Sequence, residues 1–363
     1  MKFIPQIKNL TPYVAGTPIE VVAREYGLDR VVKLASNESP LPPFPEVLDV
    51  ITSKFDSLNR YPDAEARDLR AALAGRYTVE PDQVILGNGS CELLIWLSLI
   101  FLEPGAEAVF SDPTFLVYDE VTLARGATPV KVPLDGFTND LNSMAAAVND
   151  RTRIVFLTNP HNPTGTYLPA TEIAAFAAGL PADCALVLDE AYNEYVEEPD
   201  AQGGLALFRA NPNVILLRTF SKIYGLCGLR VGYGLCSPQV KEAIDKVRQP
   251  FNINTLAQAA ALKALSLEDR LEERRALNRE GRVQLYSGLG ELGIGYIETQ
   301  SNFMLVEIDQ LSVPAANAPV ELLRRGVIVR DGAALGCPGY MRVSIGTAGE
   351  NDFLLEKLAE LKN

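Results

Sequence analysis

The chain has 363 residues, 47% hydrophobic and 22% charged, with a formal net charge of −13. That length can bury a sizeable core and ordinarily divides into two units, and the acid excess argues against nucleic acid and anionic membrane surfaces as partners. Five cysteines (Cys91, Cys184, Cys227, Cys236, Cys337) form no C-x-x-C pair, and the single histidine, His161, leaves base chemistry at neutral pH to lysine, carboxylate or tyrosine. No metal site is expected. No apolar run reaches membrane-spanning length and the first residues lack a signal-peptide pattern, so the expected location is cytoplasmic.

In chain order, residues 9–18 are broken by Pro12, Gly16 and Pro18 and read as an extended arm. Ile19 to Tyr26 is a short helix closed by Gly27, and Val31 to Leu34 a short strand. Ala35 to Pro43 is a polar loop, Pro45 to Phe55 a helix, and Asn59 to Asp63 a loop presenting the Tyr61 hydroxyl. From there short apolar runs recur: Val84–Leu86, Ala108–Phe110, Pro129–Val132, Ile154–Leu157, Leu186–Leu188, Val214–Leu217 and Val231–Gly234. Near-continuous apolar strands spaced widely enough for crossovers predict a mainly parallel sheet buried on both faces, with ligands gathering at the carboxyl ends of its strands. Polar clusters follow five of these runs: Gly87–Ser90, Asp112–Phe115, Asn159–Gly165, Asp189–Tyr192 and the segment after Leu217. After Pro250 the composition shifts. Leu256 to Leu289 is helical in period and rich in Arg and Glu, and opens a second unit with strands Phe303–Ile308, Val327–Val329 and Met341–Ile345 and a last helix from Asn351. The expected division is a large domain over residues 30–255 and a small α+β domain from 256–363 plus the 1–29 arm.

The run Val214–Leu217 ends in Arg218-Thr219-Phe220-Ser221-Lys222, with Arg230 eight positions beyond the lysine. An ammonium at the mouth of a buried strand is costly to desolvate, so it finds an anion or spends time as a neutral amine, a nucleophile toward carbonyls. Thr219, Ser221 and Arg230 offer two hydroxyls and a cationic fork suited to a phosphate. A phosphorylated aldehyde meets both requirements, and pyridoxal phosphate is the biological one. The bland alternative is a solvated Ser-Lys loop. Gly87 to Glu92 ahead of the helical run Leu93–Phe101 exposes backbone N–H groups and a positive dipole end to an anion, or is a plain turn. Asp189 closes the apolar run Ala185–Leu188, where a carboxylate needs a cation: the cofactor's pyridine nitrogen, or an arginine such as Arg218. Tyr192 and Asn162 could serve the ring oxygen of such a cofactor, Phe115 could stack on the ring or belong to the core, and His161 is either a substrate contact or structural.

With these motifs in order, the chain resembles the class I and II pyridoxal-phosphate aminotransferases of the aspartate aminotransferase fold, and among them the histidinol-phosphate aminotransferases most closely. The resemblance rests on Leu34 to Pro40, Arg60 to Asp63, Gly87 to Ser90, Asn159 to Gly165, Asp189 to Tyr192, Thr219 to Lys222, Arg230 to Tyr233, Val327 to Arg330 and Arg342 to Thr347, and spans nearly the whole chain. It implies an α/β protein of the pyridoxal-phosphate-dependent transferase fold type I, its large domain built on a mainly parallel seven-stranded sheet. It implies that Lys222 carries the cofactor aldehyde and moves the proton in transamination, that Asp189 faces the pyridine nitrogen, that Tyr192 and Asn162 face the ring oxygen and that Phe115 stacks. The phosphate would be held by Ser90, Cys91, Thr219, Ser221 and Arg230, with Tyr61 arriving from a partner subunit of a homodimer. Tyr13, Asn37, Arg330 and Arg342 would bind substrate, Arg342 taking its acidic end. The implied reaction moves an amine from histidinol phosphate, or from an aromatic amino acid, to 2-oxoglutarate. Phe115 stands where that subfamily often has tyrosine, which favours the aromatic donor; Cys91 stands where an acidic residue is frequent, and Ser39 where asparagine is common. Two other readings are a pyridoxal-phosphate lyase such as a threonine-phosphate decarboxylase, and the effector-sensing domain of a regulator, for which no helix-turn-helix segment is seen.

Overall fold

The computed structural model describes residues 1–10, 12 and 16–362; Tyr13, expected in the substrate pocket, lies outside the described residues. Among the described residues twelve strands occur in chain order: β1 (Val32–Lys33), β2 (Val84–Gly87), β3 (Glu107–Asp112), β4 (Thr128–Pro133), β5 (Thr152–Thr158), β6 (Ala185–Asp189), β7 (Val214–Thr219), β8 (Gly232–Leu235), β9 (Phe303–Glu307), β10 (Val327–Ile328), β11 (Arg330–Asp331) and β12 (Tyr340–Ser344). All seven apolar runs singled out in the sequence are strands of one sheet, ordered β2-β8-β7-β6-β5-β3-β4. Pairings from β7 through β4 are parallel, and β8 runs antiparallel to both its neighbours. That reversal matters. The carboxyl ends of the parallel strands share an edge with the start of β8, so Arg230 is delivered to the rim where Lys222 leaves β7.

Alternation along each strand sorts side chains between two cores. Leu186, Leu188, Val214 and Leu216 face one core, packed with Val47, Leu69, Leu73, Ile173, Phe208 and Ala257 from helices. Ala185, Val187, Ile215 and Leu217 face the other, with Leu93, Leu97, Tyr118, Val121 and Ile244. Both faces are covered, as near-continuous apolar strands require.

A third core gathers Val32, Leu34, Leu285, Leu289, Met304, Val306, Met341, Val343, Leu354 and Leu358 around the antiparallel sheet β11-β12-β9 and the helix Ala348–Lys362. The helical stretch expected as one element is two helices, Thr255–Leu265 and Leu271–Glu291, separated by a 3-10 turn at Glu268–Arg270. The first packs Ala257, Ala260, Ala261 and Ala264 into the core of the large sheet, while the second begins there with Leu271 and ends in the third core. Packing thus carries the first unit beyond residue 255 and draws Val32 and Leu34 into the second, because cores form by contact rather than by chain order. Among the described residues no helix is long and apolar enough to cross a membrane.

Candidate active site

Loops after β2, β5, β6 and β7 converge with the 36–38 loop on a cavity of about 420 Å³. Its lining includes Ser90, Cys91, Phe115, Asn162, Asp189, Tyr192, Thr219, Ser221, Lys222 and Arg230, which are the expected cofactor residues other than Tyr61. Ser36, Glu38, Thr158, Ala191, Cys227 and Gly228 line it as well, and the sequence reading assigned them no role in the site.

The turn before the helix Ser90–Phe101 is built for close approach. Gly89 takes φ +81°, and a Cβ there would run into the Arg230 guanidinium. A Cβ on Gly232 would lie 2.5 Å from Ser90 N, so this glycine lets the start of β8 press its backbone against the turn. Backbone N–H groups of a helix start and Arg230 thereby lie together, and Thr219 and Ser221 line the same cavity, a set of donors suited to a phosphate. Glu92, an acid in the first turn, is drawn away: its Oε2 accepts from Asn88 N (2.6 Å) and from Asn252 Nδ2 (2.9 Å). Burial first of all raises the Cys91 thiol above its ordinary value, so it behaves as a neutral wall.

Lys222 Nζ donates to the carbonyls of Ser36 and Asn37, each at 3.2 Å, and lies 5.4 Å from the centre of the Tyr192 ring. No carboxylate pairs with it among the described residues. The carbonyls are presented by a strained segment, Ser36 at φ 62° and Asn37 at φ 53°. Asn37 is held from the second unit: Ser344 Oγ accepts from its N at 3.0 Å, and its carbonyl also accepts from Asn302 Nδ2 at 3.1 Å. The Tyr192 hydroxyl accepts from Asn37 Nδ2 (2.8 Å) and Asn162 Nδ2 (3.4 Å), leaving its own proton free to donate into the cavity.

Asp189 is 3% exposed and accepts from Tyr118 Oη (3.0 Å) and Ala191 N (3.1 Å). Burial outweighs these bonds and the nearby Lys222 charge, and pushes its carboxyl up to about 6. The alternative partner, Arg218, is engaged elsewhere: it gives Nε (2.9 Å) and Nη2 (2.7 Å) to Glu190 Oε2 on the opposite face of the sheet. Among the described residues no cation pairs with Asp189, so a buried carboxylate faces a cavity that can supply one. Strand parity carries the signal for this, since Asp189 follows Ala185 and Val187 onto one face while Glu190 and Arg218 share the other.

His161 is buried, bonds Thr164 Oγ1 through Nδ1 at 2.9 Å and is held down to about 3 by burial, so it is a neutral structural imidazole away from the cavity. Arg342 is 8% exposed and donates from Nη1 to Asn162 Oδ1 at 2.7 Å, one residue behind the lining, with Arg330 opposite it in the β11–β12 ladder. Neither arginine lines the cavity itself. Tyr61 is 82% exposed and stacks on Phe251 at 4.6 Å, outside its own chain's cavity.

A family model described as aminotransferase class I and II matches residues 29–358. A histidinol-phosphate aminotransferase 2 of Pseudomonas fluorescens is 46% identical over 359 residues, 98% of this chain and 96% of that protein. The crystal structure of histidinol-phosphate aminotransferase from Sinorhizobium meliloti in complex with pyridoxal-5'-phosphate superposes with a TM-score of 0.90 at 32% identity, covering 99% of this chain and 97% of that one. A Thermus thermophilus aspartate aminotransferase double mutant shares the fold, with a TM-score of 0.85 at 24% identity over 99% of this chain and 100% of the other.

Proposed function

The chain belongs to the class I and II aminotransferases, and we propose that it is a pyridoxal-phosphate enzyme that transfers the amine of histidinol phosphate to 2-oxoglutarate. The observation that carries the chemistry is the buried Asp189, which has no cation partner among the described residues, on the same cavity as the Lys222 amine and the anion corner. A pyridine nitrogen, an aldehyde and a phosphate on one small molecule match those three features. The fit extends to the glycines, because any Cβ at residue 89 or 232 would fill the space the phosphate corner uses.

Bound there, the cofactor supplies an aldehyde that takes up an amine and a ring that accepts an electron pair. Ser90 N, Cys91 N, Thr219, Ser221 and Arg230 hold its phosphate, and Asp189 keeps a positive charge at the ring nitrogen. The Tyr192 hydroxyl, with Asn162 beside it, donates to the ring oxygen, and Phe115 flanks the ring. Lys222 Nζ would take the proton from the substrate's amine-bearing carbon and pass it to the cofactor's aldehyde carbon; the two carbonyls that solvate it in this structure would orient it. Arg342 and Arg330 receive the acidic group of the substrate, reaching it past Asn162, while Asn37, buried behind the lining, acts through its hydrogen bond to the Tyr192 hydroxyl.

The donor follows the relatives: full-length proteins 42–46% identical carry the histidinol-phosphate name. Phe115 had favoured an aromatic amino acid; the relatives outweigh that single position. We further read the protein as a cytoplasmic homodimer in which Tyr61 completes the neighbouring site, its outward ring supporting this. The large-sheet unit is taken as the cofactor domain and the β9–β12 unit with the N-terminal arm as the small domain.

Steady-state turnover with histidinol phosphate, phenylalanine and tyrosine, each against 2-oxoglutarate, tests the reading. Histidinol phosphate should have the highest kcat/KM, and Lys222→Ala should retain cofactor while losing turnover by about a thousandfold or more. Preference for the aromatic donors would overturn the donor assignment, and active Lys222→Ala would overturn the chemistry.

A further inference from the structure

The helix Val117–Ala124 turns Tyr118 fully inward, where its ring stacks on Phe156 at 4.8 Å and 2°, and meets the edge of Phe115 at 5.7 Å and 89°. Its hydroxyl donates to Asp189 Oδ2 at 3.0 Å. One side chain therefore touches both the carboxylate behind the cavity and the aromatic face beside it. From this geometry we infer that Tyr118 is a positioning residue that holds Asp189 ionised and aimed at the cavity, and so sets the pH range over which the chain grips its pyridine cofactor. This rests on the cofactor reading above.

The charged and titratable groups around Asp189 leave that task to Tyr118. Lys222 lies across the cavity and favours the carboxylate by its charge. Glu190, next in the chain, opposes it but is neutralised by Arg218 on the other face. Cys91 is a neutral thiol held up by burial, while Arg230 lies on the phosphate side and Tyr192 is engaged by Asn37. Against a burial penalty that favours the protonated acid, Ala191 N–H and Tyr118 are the groups that donate hydrogen bonds to Asp189 among the described residues. The backbone donor is fixed by the turn, so the phenol is the adjustable one. The Tyr118 hydroxyl is itself raised well above its usual range, by burial and then by Asp189, so it remains a donor at every working pH.

The test is an equilibrium titration of cofactor-free protein with pyridoxal phosphate, followed by its visible absorbance, from about pH 5 to about pH 9. Wild-type affinity should fall as pH drops through the range where Asp189 takes up a proton. In Tyr118→Phe, which keeps the stacked ring, that fall should begin about one pH unit higher, the increment a charge-assisted hydrogen bond supplies. The ratio of the two dissociation constants should then be near one above about pH 8.5 and rise to about tenfold below pH 6. In an Asp189→Asn background the same substitution should change affinity less than about twofold. A ratio constant with pH, or a penalty of the same size persisting in the Asp189→Asn background, would overturn the inference and leave Tyr118 a packing residue. If wild-type protein itself failed to bind pyridoxal phosphate, the cofactor reading would fall, and this inference with it.

Discussion

Replacing Arg218 with methionine tests why Asp189 is left to the cavity. The Arg218 and Glu190 side chains are 3% and 4% exposed, and Glu190 Oε2 receives two of the guanidinium's donors while Tyr77 Oη takes a third at 3.1 Å. Removing the cation leaves a carboxylate buried between the sheet and its helices, a loss that typically costs about 3–5 kcal/mol. Removing both charges in Arg218→Met/Glu190→Gln should recover more than about half of that. The sign of the pH dependence is fixed too. Burial already raises the Glu190 carboxyl in spite of Arg218, and without the arginine it rises further. A raised folded pKa contributes stability that is present below the unfolded value and lost as pH climbs through the folded one. The deficit of Arg218→Met against wild type should therefore be smallest near pH 5 and grow toward pH 8, by up to about 1.4 kcal/mol for each unit crossed. Urea unfolding of the cofactor-free protein, followed by circular dichroism, reads both quantities. A deficit independent of pH, or a double variant as unstable as the single one, would refute the reasoning.

The buried Asp189 makes a parallel prediction. Its folded pKa of about 6 lies above the unfolded value, so the cofactor-free protein should lose up to about 3 kcal/mol as pH rises from about 4 through 6. The thermal shift on adding pyridoxal phosphate should widen over the same range, and an unchanged shift would contradict the pairing. Gly232→Ala places a Cβ 2.5 Å from Ser90 N and 2.8 Å from the Gly89 carbonyl carbon, so it should cost about 1–3 kcal/mol and weaken cofactor affinity in calorimetric titration. Gly75→Ala, in a helix with open space around it, should be neutral or stabilising by up to about 1 kcal/mol in the same urea assay. Tyr61→Ala and Lys222→Ala proteins, each impaired alone, should regain activity when unfolded together and refolded as hybrids, since one site then has both groups; no gain on mixing would argue against a shared site.

The strands and the rim chemistry were legible because both are local. A β-branched run followed by a polar cluster announces a buried strand and what stands at its end, and that placed Lys222, Asp189, Ser90 and Asn162 before any contact was known. Choices between partners were not legible. Whether Arg218 would meet Asp189 or Glu190 depended on which strands are neighbours and in what register, and Tyr118, which no motif singles out, finds Asp189 across 71 residues of chain. The same holds for Arg230, which reaches the rim only because β8 is inserted antiparallel, and for Asn37, which the second unit bends against Tyr192.

By itself, then, the amino-acid order determined the alternation of buried strands and reactive loops, since hydrophobic burial and turn chemistry act over a few residues at a time. Strand order, the side of the sheet on which each charge is buried, and the pairing that leaves Asp189 open to a ligand were decided by the tertiary structure. Those depend on which distant surfaces exclude water together, and no short stretch of sequence carries that information.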